Sequence, residues 1–82
     1  MNQDESQQLT VVYGKPGCVQ CQYTTRLLDK EEKPYKYVDI TVNEVAYQEV
    51  RAMGLTGLPV VVTNSGQQWT GFSPDRIRGI QT

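Results

Sequence analysis

The sequence predicts a small α/β domain with the element order β-α-β-α-β-β-α. The first half alternates between short Val- and Tyr-rich runs and longer stretches with helical periodicity. A Pro-Val-Val-Val run and an Asn-Ser-Gly turn follow, and together they predict a hairpin. At 82 residues the chain can form one hydrophobic core and has no room for a second domain.

The first unit is a strand–helix–strand crossover. Leu9–Tyr13 is rich in Val and Tyr and is followed by a Gly-Lys-Pro-Gly loop, which predicts a buried strand. Helical periodicity starts at Val19, and Pro34 ends this helix. Tyr35–Asp39 is the second predicted strand, and a crossover of this length makes the two strands parallel. The expected buried face of the helix carries Cys21, Thr25 and Leu28.

A capping-box pattern predicts where the second helix begins. Thr41 would be the N-cap residue, with Glu44 at the third helical position reaching back to it. Gly54 is a plausible C′ residue that closes the helix. The expected apolar stripe consists of Val42, Val45, Ala46, Val50 and Met53.

The second half predicts a hairpin and a short helix. Val60–Val62 is apolar at every position, which is typical of a central strand buried on both faces. After the turn, Gln67–Thr70 would return antiparallel. Ser73 as N-cap and Pro74 at the first helical position open the last helix. The residues of this helix that should face inward are Ile77 and Ile80.

Composition excludes several classes of partner. The chain has 8 basic and 9 acidic residues, a formal net charge of −1 and no basic stripe, which argues against nucleic-acid binding. No apolar stretch approaches the roughly 20 residues needed to span a membrane. Residues 1–8 are polar and lack the apolar core of a signal peptide, so we expect a disordered leader before a domain over residues 9–82. The expected compartment is the cytoplasm, where a persistent structural disulfide is unusual.

Cys18 and Cys21 are the only cysteines, and they lie where the first helix is predicted to begin. Unpaired backbone N–H groups and the positive end of the helix dipole stabilise a thiolate there. Such settings lower a cysteine pKa from about 8.5 to roughly 3.5–7.5. A second thiol within reach can resolve the mixed disulfide that forms. A Cys-x-x-Cys pair beside a strand–helix–strand unit in a cytoplasmic chain therefore predicts a thioredoxin-like redox site.

Other roles for the pair remain open from the residues alone. Zinc in proteins takes four ligands, whereas this chain offers two thiols and contains no histidine. A zinc ion or an iron–sulfur cluster would therefore have to bridge two chains or recruit an outside ligand. A third possibility is a partner-binding domain whose cysteines take no part in its function.

The position of each cysteine predicts its role in a redox site. Cys18 precedes the first full turn, so we expect an exposed sulfur that attacks as the thiolate. Cys21 lies on the apolar face and would be the more buried, resolving thiol. Lys15, three residues upstream, is expected to add positive charge beside the Cys18 sulfur.

Two later segments are further candidates. Because only about 5–6% of Xaa-Pro bonds in folded proteins are cis, the residues alone predict a trans Leu58–Pro59 bond. Trp69 is expected to pack at least partly into the core. We expect Phe72, next to Gly71, to be the exposed aromatic residue, which makes it a candidate docking contact.

Taken together, these residues resemble the NrdH-type redoxins, which are glutaredoxin-like members of the thioredoxin superfamily. The resemblance rests on Lys15–Cys21, the proline before Val-Val and Trp69–Ile77, and it extends over the chain from Leu9 onward. It implies a thioredoxin-like α/β fold with a four-stranded mixed sheet and three helices. It also implies that Pro59 is cis, with the Leu58 backbone beside the cysteines, where it would pair with an extended substrate segment.

The resemblance also implies an activity and partners. The protein would be a monomeric dithiol–disulfide oxidoreductase that takes electrons from thioredoxin reductase and passes them to the large subunit of class Ib ribonucleotide reductase. It would bind no cofactor itself, because NADPH and flavin reside on the reductase. The implied substrate-binding residues are Leu58, Pro59, Trp69, Gly71 and Phe72.

Several positions depart from related patterns. Glutaredoxins of similar size hold glutathione with Thr-Val-Pro and Gly-Gly segments. Here Gly57 supplies no hydroxyl and Phe72 replaces a glycine, which argues against glutathione as the reductant. A glutathione- or mycothiol-coupled glutaredoxin is the alternative within the redox class. Gly14 stands where the family usually has Thr or Ser and is expected to loosen the loop, while Leu58 replaces a smaller residue and is expected to alter substrate fit.

Overall fold

The structure is a computed structural model that describes residues 9–81. The predicted disordered leader, residues 1–8, lies outside this range. The observed order of elements is the predicted β-α-β-α-β-β-α. The strands are β1 (Thr10–Gly14), β2 (Tyr35–Asp39), β3 (Val60–Val62) and β4 (Gln68–Thr70). The helices are α1 (Val19–Lys30), α2 (Glu44–Ala52) and α3 (Pro74–Arg78).

The four strands form one mixed sheet in the order β2-β1-β3-β4. β1 pairs parallel with β2, as a strand–helix–strand crossover requires, and antiparallel with β3. β3 and β4 form the predicted antiparallel hairpin. Val12 stands opposite Tyr37 on one side and Val61 on the other, so β1 is central. The prediction that Val60–Val62 forms a central strand is also confirmed.

The main core lies between the sheet and the helices α1 and α3. Burying each large aliphatic side chain here contributes about 1.5–3 kcal/mol before entropy is counted. Lys33, after α1, donates from Nζ to the Ile80 carbonyl at 2.7 Å and so ties the end of α1 to the segment after α3. The buried residues of this core are Val12, Leu28, Val61, Trp69, Ile77 and Ile80.

The buried face of α1 differs by one residue from the prediction. Thr24 is fully buried, whereas Thr25, which we expected on this face, is only half-buried. The Thr24 hydroxyl donates to the Gln20 carbonyl at 2.8 Å. Because this bond satisfies the hydroxyl within the helix, a polar side chain can be buried there at little cost.

The predicted start of α2 was wrong by two residues. The N-cap is Asn43, whose side-chain oxygen accepts from the Ala46 N–H at 3.0 Å. Thr41 instead donates from its hydroxyl to the Asp39 carboxylate at 2.6 Å. Val42 therefore precedes the helix and is 81% exposed, and Val45 is 69% exposed. The buried stripe is reduced to Ala46 and Val50, with Met53 partly covered.

The remaining boundaries lie close to those expected. β1 begins one residue later than predicted and continues through Gly14. Ser73 occupies the N-cap position of α3 but makes no side-chain capping bond. Ile77 and Ile80 are both buried as predicted, although Ile80 lies just beyond the helix. None of the three helices within residues 9–81 is long and apolar enough to cross a membrane.

Candidate active site

The cysteine pair lies at the N-terminus of α1. Cys18 is the N-cap residue, with extended backbone angles (φ −92°, ψ 107°), and its sulfur accepts a hydrogen bond from the Cys21 N–H at 3.1 Å. The first N–H groups of a helix have no partner within the helix, so a sulfur in this position satisfies one of them. The two cysteines are joined in a disulfide, with their Cα atoms 5.2 Å apart. The Cys18 sulfur is thus fixed at the start of α1 by a backbone N–H donor.

The two sulfurs differ in access. Cys21 is 2% exposed and belongs to the buried face of α1, whereas Cys18 is partly exposed. The difference arises because Cys18 precedes the helix, while Cys21 lies one turn along it and points toward the sheet. An approaching disulfide therefore meets the sulfur of Cys18 first.

A cavity of roughly 300 Å³ opens beside the disulfide, between α1 and β2. Lys15 borders it, so the structure brings this predicted residue to the cysteines. Burial raises the pKa of Tyr35 and Tyr37, and the carboxylates of Asp29 and Asp39, respectively, raise them further. Both phenols therefore keep their protons at neutral pH.

Gly14 has a spatial role that the sequence did not indicate. It is the last residue of β1, and a Cβ atom added there would stand 2.9 Å from the Cys21 Sγ and would overlap the Tyr37 hydroxyl. Real Cβ atoms do not approach other atoms so closely. We expected this glycine to loosen the loop, but it makes room for a tyrosine hydroxyl beside the buried sulfur. Tyr37 was not among the predicted site residues.

The segment around Pro59 is hydrogen-bonded to the residue that follows β4. The Leu58–Pro59 bond is cis, as the family resemblance implies and against the base rate. Pro59 is buried and Leu58 is half-buried. The Pro59 carbonyl accepts a hydrogen bond from the Gly71 N–H at 2.9 Å, which joins two of the predicted substrate-binding segments.

Gln20, between the two cysteines, connects the start of α1 to the segment that follows β4. Its side-chain oxygen accepts from the Phe72 N–H at 3.0 Å, and a Cβ atom on Gly71 would stand 3.2 Å from the same oxygen. Gly71 also has a positive φ of 84°, so a side chain there would strain the backbone as well as crowd Gln20. The only sequence signal for Gln20 was its place inside the cysteine motif.

The aromatic residues near the site differ in how far they are buried. Trp69 is 6% exposed and packs in the core as predicted, with the Arg76 guanidinium 5.6 Å from its ring centroid. Phe72 is half-buried rather than freely exposed, and its ring centroid lies 5.7 Å from that of Tyr23. Tyr23 (48% exposed) and Val19 (59% exposed) are the more accessible apolar residues. Phe72 packs against the core cluster that contains Trp69.

Across residues 9–81, no group of three or more His, Cys, Asp or Glu side chains is placed to hold a metal ion. The two sulfurs instead form a pair that can exchange a disulfide. A four-stranded mixed sheet with this pair at the start of its first helix defines a thiol–disulfide oxidoreductase of the thioredoxin-like fold.

Comparison with known proteins identifies the family of oxidoreductases to which the chain belongs. The glutaredoxin family model matches residues 10–67. The glutaredoxin-like protein NrdH of Salmonella typhimurium is 33% identical over 66 residues, which cover 80% of each chain. The chain belongs to the glutaredoxin family and, within it, to the NrdH-type redoxins.

Solved structures agree with this assignment. The NrdH-redoxin of Escherichia coli superimposes with a TM-score of 0.83 at 29% identity, covering 89% of this chain and 95% of that one. A glutaredoxin from Archaeoglobus fulgidus superimposes with a TM-score of 0.74 over 87% of this chain and 83% of that one. At 19% identity the second match supports the fold alone.

Proposed function

We propose that this redoxin is a dithiol electron carrier that reduces the large subunit of class Ib ribonucleotide reductase and is itself reduced by thioredoxin reductase. The observation that carries the proposal is the asymmetric cysteine pair: an accessible Cys18 sulfur held by a backbone N–H at 3.1 Å and a Cys21 sulfur buried behind it. NADPH and flavin would act on the partner reductase, and this chain would bind neither.

The pair supports a defined order of steps. The Cys18 thiolate attacks one sulfur of the partner disulfide, a mixed disulfide forms, and the other partner sulfur leaves with the electron pair and takes up a proton. Cys21 then attacks the Cys18 sulfur, and the second partner thiol is released. Two electrons pass to the partner as the Cys18–Cys21 bond forms. The Cys21 N–H stabilises the Cys18 thiolate before attack, and the positive charge of Lys15 supports it.

The surface around the pair favours a protein reductant over glutathione. Phe72 replaces a glycine of the glutaredoxins that hold glutathione, and Gly57 offers no hydroxyl. Val19, Tyr23 and Phe72 instead present apolar area that suits a protein partner. The Leu58 backbone would pair with an extended segment of that partner. The solved Escherichia coli relative is described as having a thioredoxin-like activity profile.

The proposed cellular compartment rests on the disulfide-exchange chemistry. A carrier that must be returned to its dithiol state works in a reducing compartment, and we place this one in the cytoplasm. It would act as a monomer, because each partner must reach the Cys18 sulfur in turn.

The experiment that tests the proposal compares two reductants. We expect NADPH with thioredoxin reductase to drive rapid reduction of the Cys18–Cys21 disulfide, with electrons passing on to class Ib ribonucleotide reductase. Glutathione with glutathione reductase should give only slow turnover in the matched assay. Comparable rates from the two systems would overturn the choice of reductant.

A trapping experiment tests the order of the cysteines. With a disulfide substrate, Cys21→Ser should accumulate a stable mixed disulfide on Cys18, which mass spectrometry detects. Cys18→Ser should form no such adduct, because its remaining thiol is buried. The reverse pattern would sink the assignment of roles.

A further inference from the structure

The Tyr37 hydroxyl and the Cys21 sulfur share the space left by the missing side chain of Gly14. Both atoms lie less than 3.0 Å from the point where a Gly14 Cβ would stand, and therefore within about 6 Å of each other. We propose that Tyr37 is a positioning residue for the resolving thiol. When the disulfide is reduced, the Tyr37 hydroxyl donates a hydrogen bond to the Cys21 sulfur and thereby speeds formation of the Cys18–Cys21 disulfide in the next exchange. The inference rests on the proposed role of Cys21.

Strand pairing explains how the three residues meet. β2 runs parallel to β1, with Tyr37 opposite Val12 and Asp39 opposite Gly14. Tyr37 is thus two pairs before the end of the ladder, and its long side chain reaches along the strand to the Gly14 position. Any side chain at Gly14 would close this path. The register of the sheet therefore places the Tyr37 hydroxyl near the buried Cys21 sulfur.

The protonation state of Tyr37 suits a donor. Burial raises its pKa and Asp39 raises it further, so the phenol keeps its proton at neutral pH. A protonated phenol can donate to a thiolate, which accepts hydrogen bonds but cannot donate them. The other titratable groups that face this space are Lys15 from the loop, Cys18 at the N-cap of α1, and Tyr35 and Asp39 from β2.

Tyr35 is directed elsewhere and provides a matched comparison. It stands on the same face of the same strand, two residues before Tyr37, and borders the same cavity. Its phenol lies close enough to Asp29 and Thr25 on α1 for both side chains to shift its pKa. Removing either hydroxyl is the same chemical change, but only one of the two lies beside Cys21.

The step in which Tyr37 acts is the second of the exchange. Cys21 loses its thiol proton to water, and its thiolate attacks the Cys18 sulfur of the mixed disulfide. The Cys21–Cys18 bond forms as the bond from Cys18 to the substrate breaks, and the substrate sulfur leaves with the electron pair. A hydrogen bond from Tyr37 stabilises the Cys21 thiolate before this attack. Removing it should leave the first step, at Cys18, unchanged.

Ellman's reagent, a chromogenic aromatic disulfide, separates the two steps in a stopped-flow measurement. Attack by Cys18 releases one chromophore at a rate that depends on reagent concentration, and ring closure by Cys21 releases the second at a rate that does not. In Tyr37→Phe we expect the second phase to slow by roughly threefold to tenfold, the range expected for the loss of about one hydrogen bond. The pH midpoint of that phase should rise, and the first phase should match wild type.

The control is Tyr35→Phe, which should leave both phases and the pH midpoint unchanged, with urea unfolding confirming that both variants fold. A second phase in Tyr37→Phe that equals wild type in rate and pH midpoint would overturn the inference. An equal slowing in Tyr35→Phe would overturn it as well, because the effect would then come from cavity packing. A wild-type protein that releases no second chromophore would instead refute the proposed role of Cys21.

Discussion

The N-termini of α1 and α2 are capped with nearly the same geometry by two different acceptor atoms. Cys18 (φ −92°, ψ 107°) and Asn43 (φ −125°, ψ 98°) are both extended residues that precede a helix. Each accepts a hydrogen bond from the N–H three residues later, at 3.1 Å for the sulfur and 3.0 Å for the amide oxygen. The local physics of the two helix starts is therefore the same.

What separates the two caps is the residue three positions on. After Cys18 it is Cys21, which places a second sulfur close enough for a disulfide, whereas after Asn43 it is Ala46. A thiolate also gains more from a backbone N–H than a neutral amide does, because the bond is then charge-assisted. The redox site is thus an ordinary N-cap whose acceptor can be charged and oxidised.

The largest effect is expected from Cys18→Ser, which keeps the cap and removes the chemistry. Serine is a strong N-cap residue, so the free energy of unfolding should stay within about 0.5 kcal/mol of the reduced wild type. Insulin-disulfide reduction should fall to background. Urea unfolding under reducing conditions and the insulin assay measure the two quantities. Residual turnover above background would show that the cysteines are not the redox centre.

Asn43→Ala, at the start of α2, should have the opposite effect to Cys18→Ser, because it removes the cap and leaves the redox chemistry intact. Losing the cap should lower the free energy of unfolding by about 1 kcal/mol, while the disulfide-exchange rate stays at the wild-type value. Asn43→Asp, which retains an acceptor oxygen, is the matched control and should unfold like wild type. If exchange slowed together with stability in the alanine variant, the two helix starts would not be functionally separate.

Glutamine side chains near the two helix starts sharpen the comparison further. Gln20 accepts from the Phe72 N–H across the molecule, whereas Gln48 donates to Glu44 within α2 at 2.9 Å. Gln20→Ala should cost about 0.5–1.5 kcal/mol in unfolding free energy. It should also raise the KM for the proposed reductant, thioredoxin reductase, because Gln20 holds the backbone of Phe72, a residue of the proposed partner surface. Gln48→Ala should cost about 0.2–0.5 kcal/mol and leave the KM unchanged. Equal KM values in both variants would contradict a link between Gln20 and partner binding.

The smallest expected effect is a change in the free energy of unfolding at alkaline pH. Burial raises the pKa of Tyr35 on the α1 side and of Tyr13 on the α2 side, where Glu49 raises it further. The folded protein holds these protons more tightly than the unfolded chain, whose tyrosines titrate near 10.0. This stability is fully present below about pH 10 and is lost as pH rises through the folded values.

Urea unfolding at about pH 8 and about pH 11 should therefore show a falling free energy of unfolding. Tyr13→Phe and Tyr35→Phe should each reduce the fall, reporting on the α2 and α1 sides in turn. A fall of equal size in both variants and in wild type would mean that these phenols do not contribute.

Sequence reasoning predicted the element order and the cysteine pair correctly but misplaced local details. Thr41 and Asn43 are both good N-cap residues, and the chain uses Asn43 because the Thr41 hydroxyl is taken by Asp39. Thr24 and Thr25 are likewise adjacent candidates for one helix face, and packing against the sheet decided between them. Where two neighbouring residues fit a local rule equally well, the rule cannot choose.

The sequence by itself determined the redox chemistry, because the Cys18–Cys21 spacing and the helix that follows are local features a few residues long. Only the tertiary structure decided what surrounds the two sulfurs. Gln20 meets Phe72 across a separation of 52 residues, and Gly14 meets Tyr37 only because β1 and β2 pair in one register. Such contacts depend on strand pairing and side-chain direction, which periodicity along the chain does not encode.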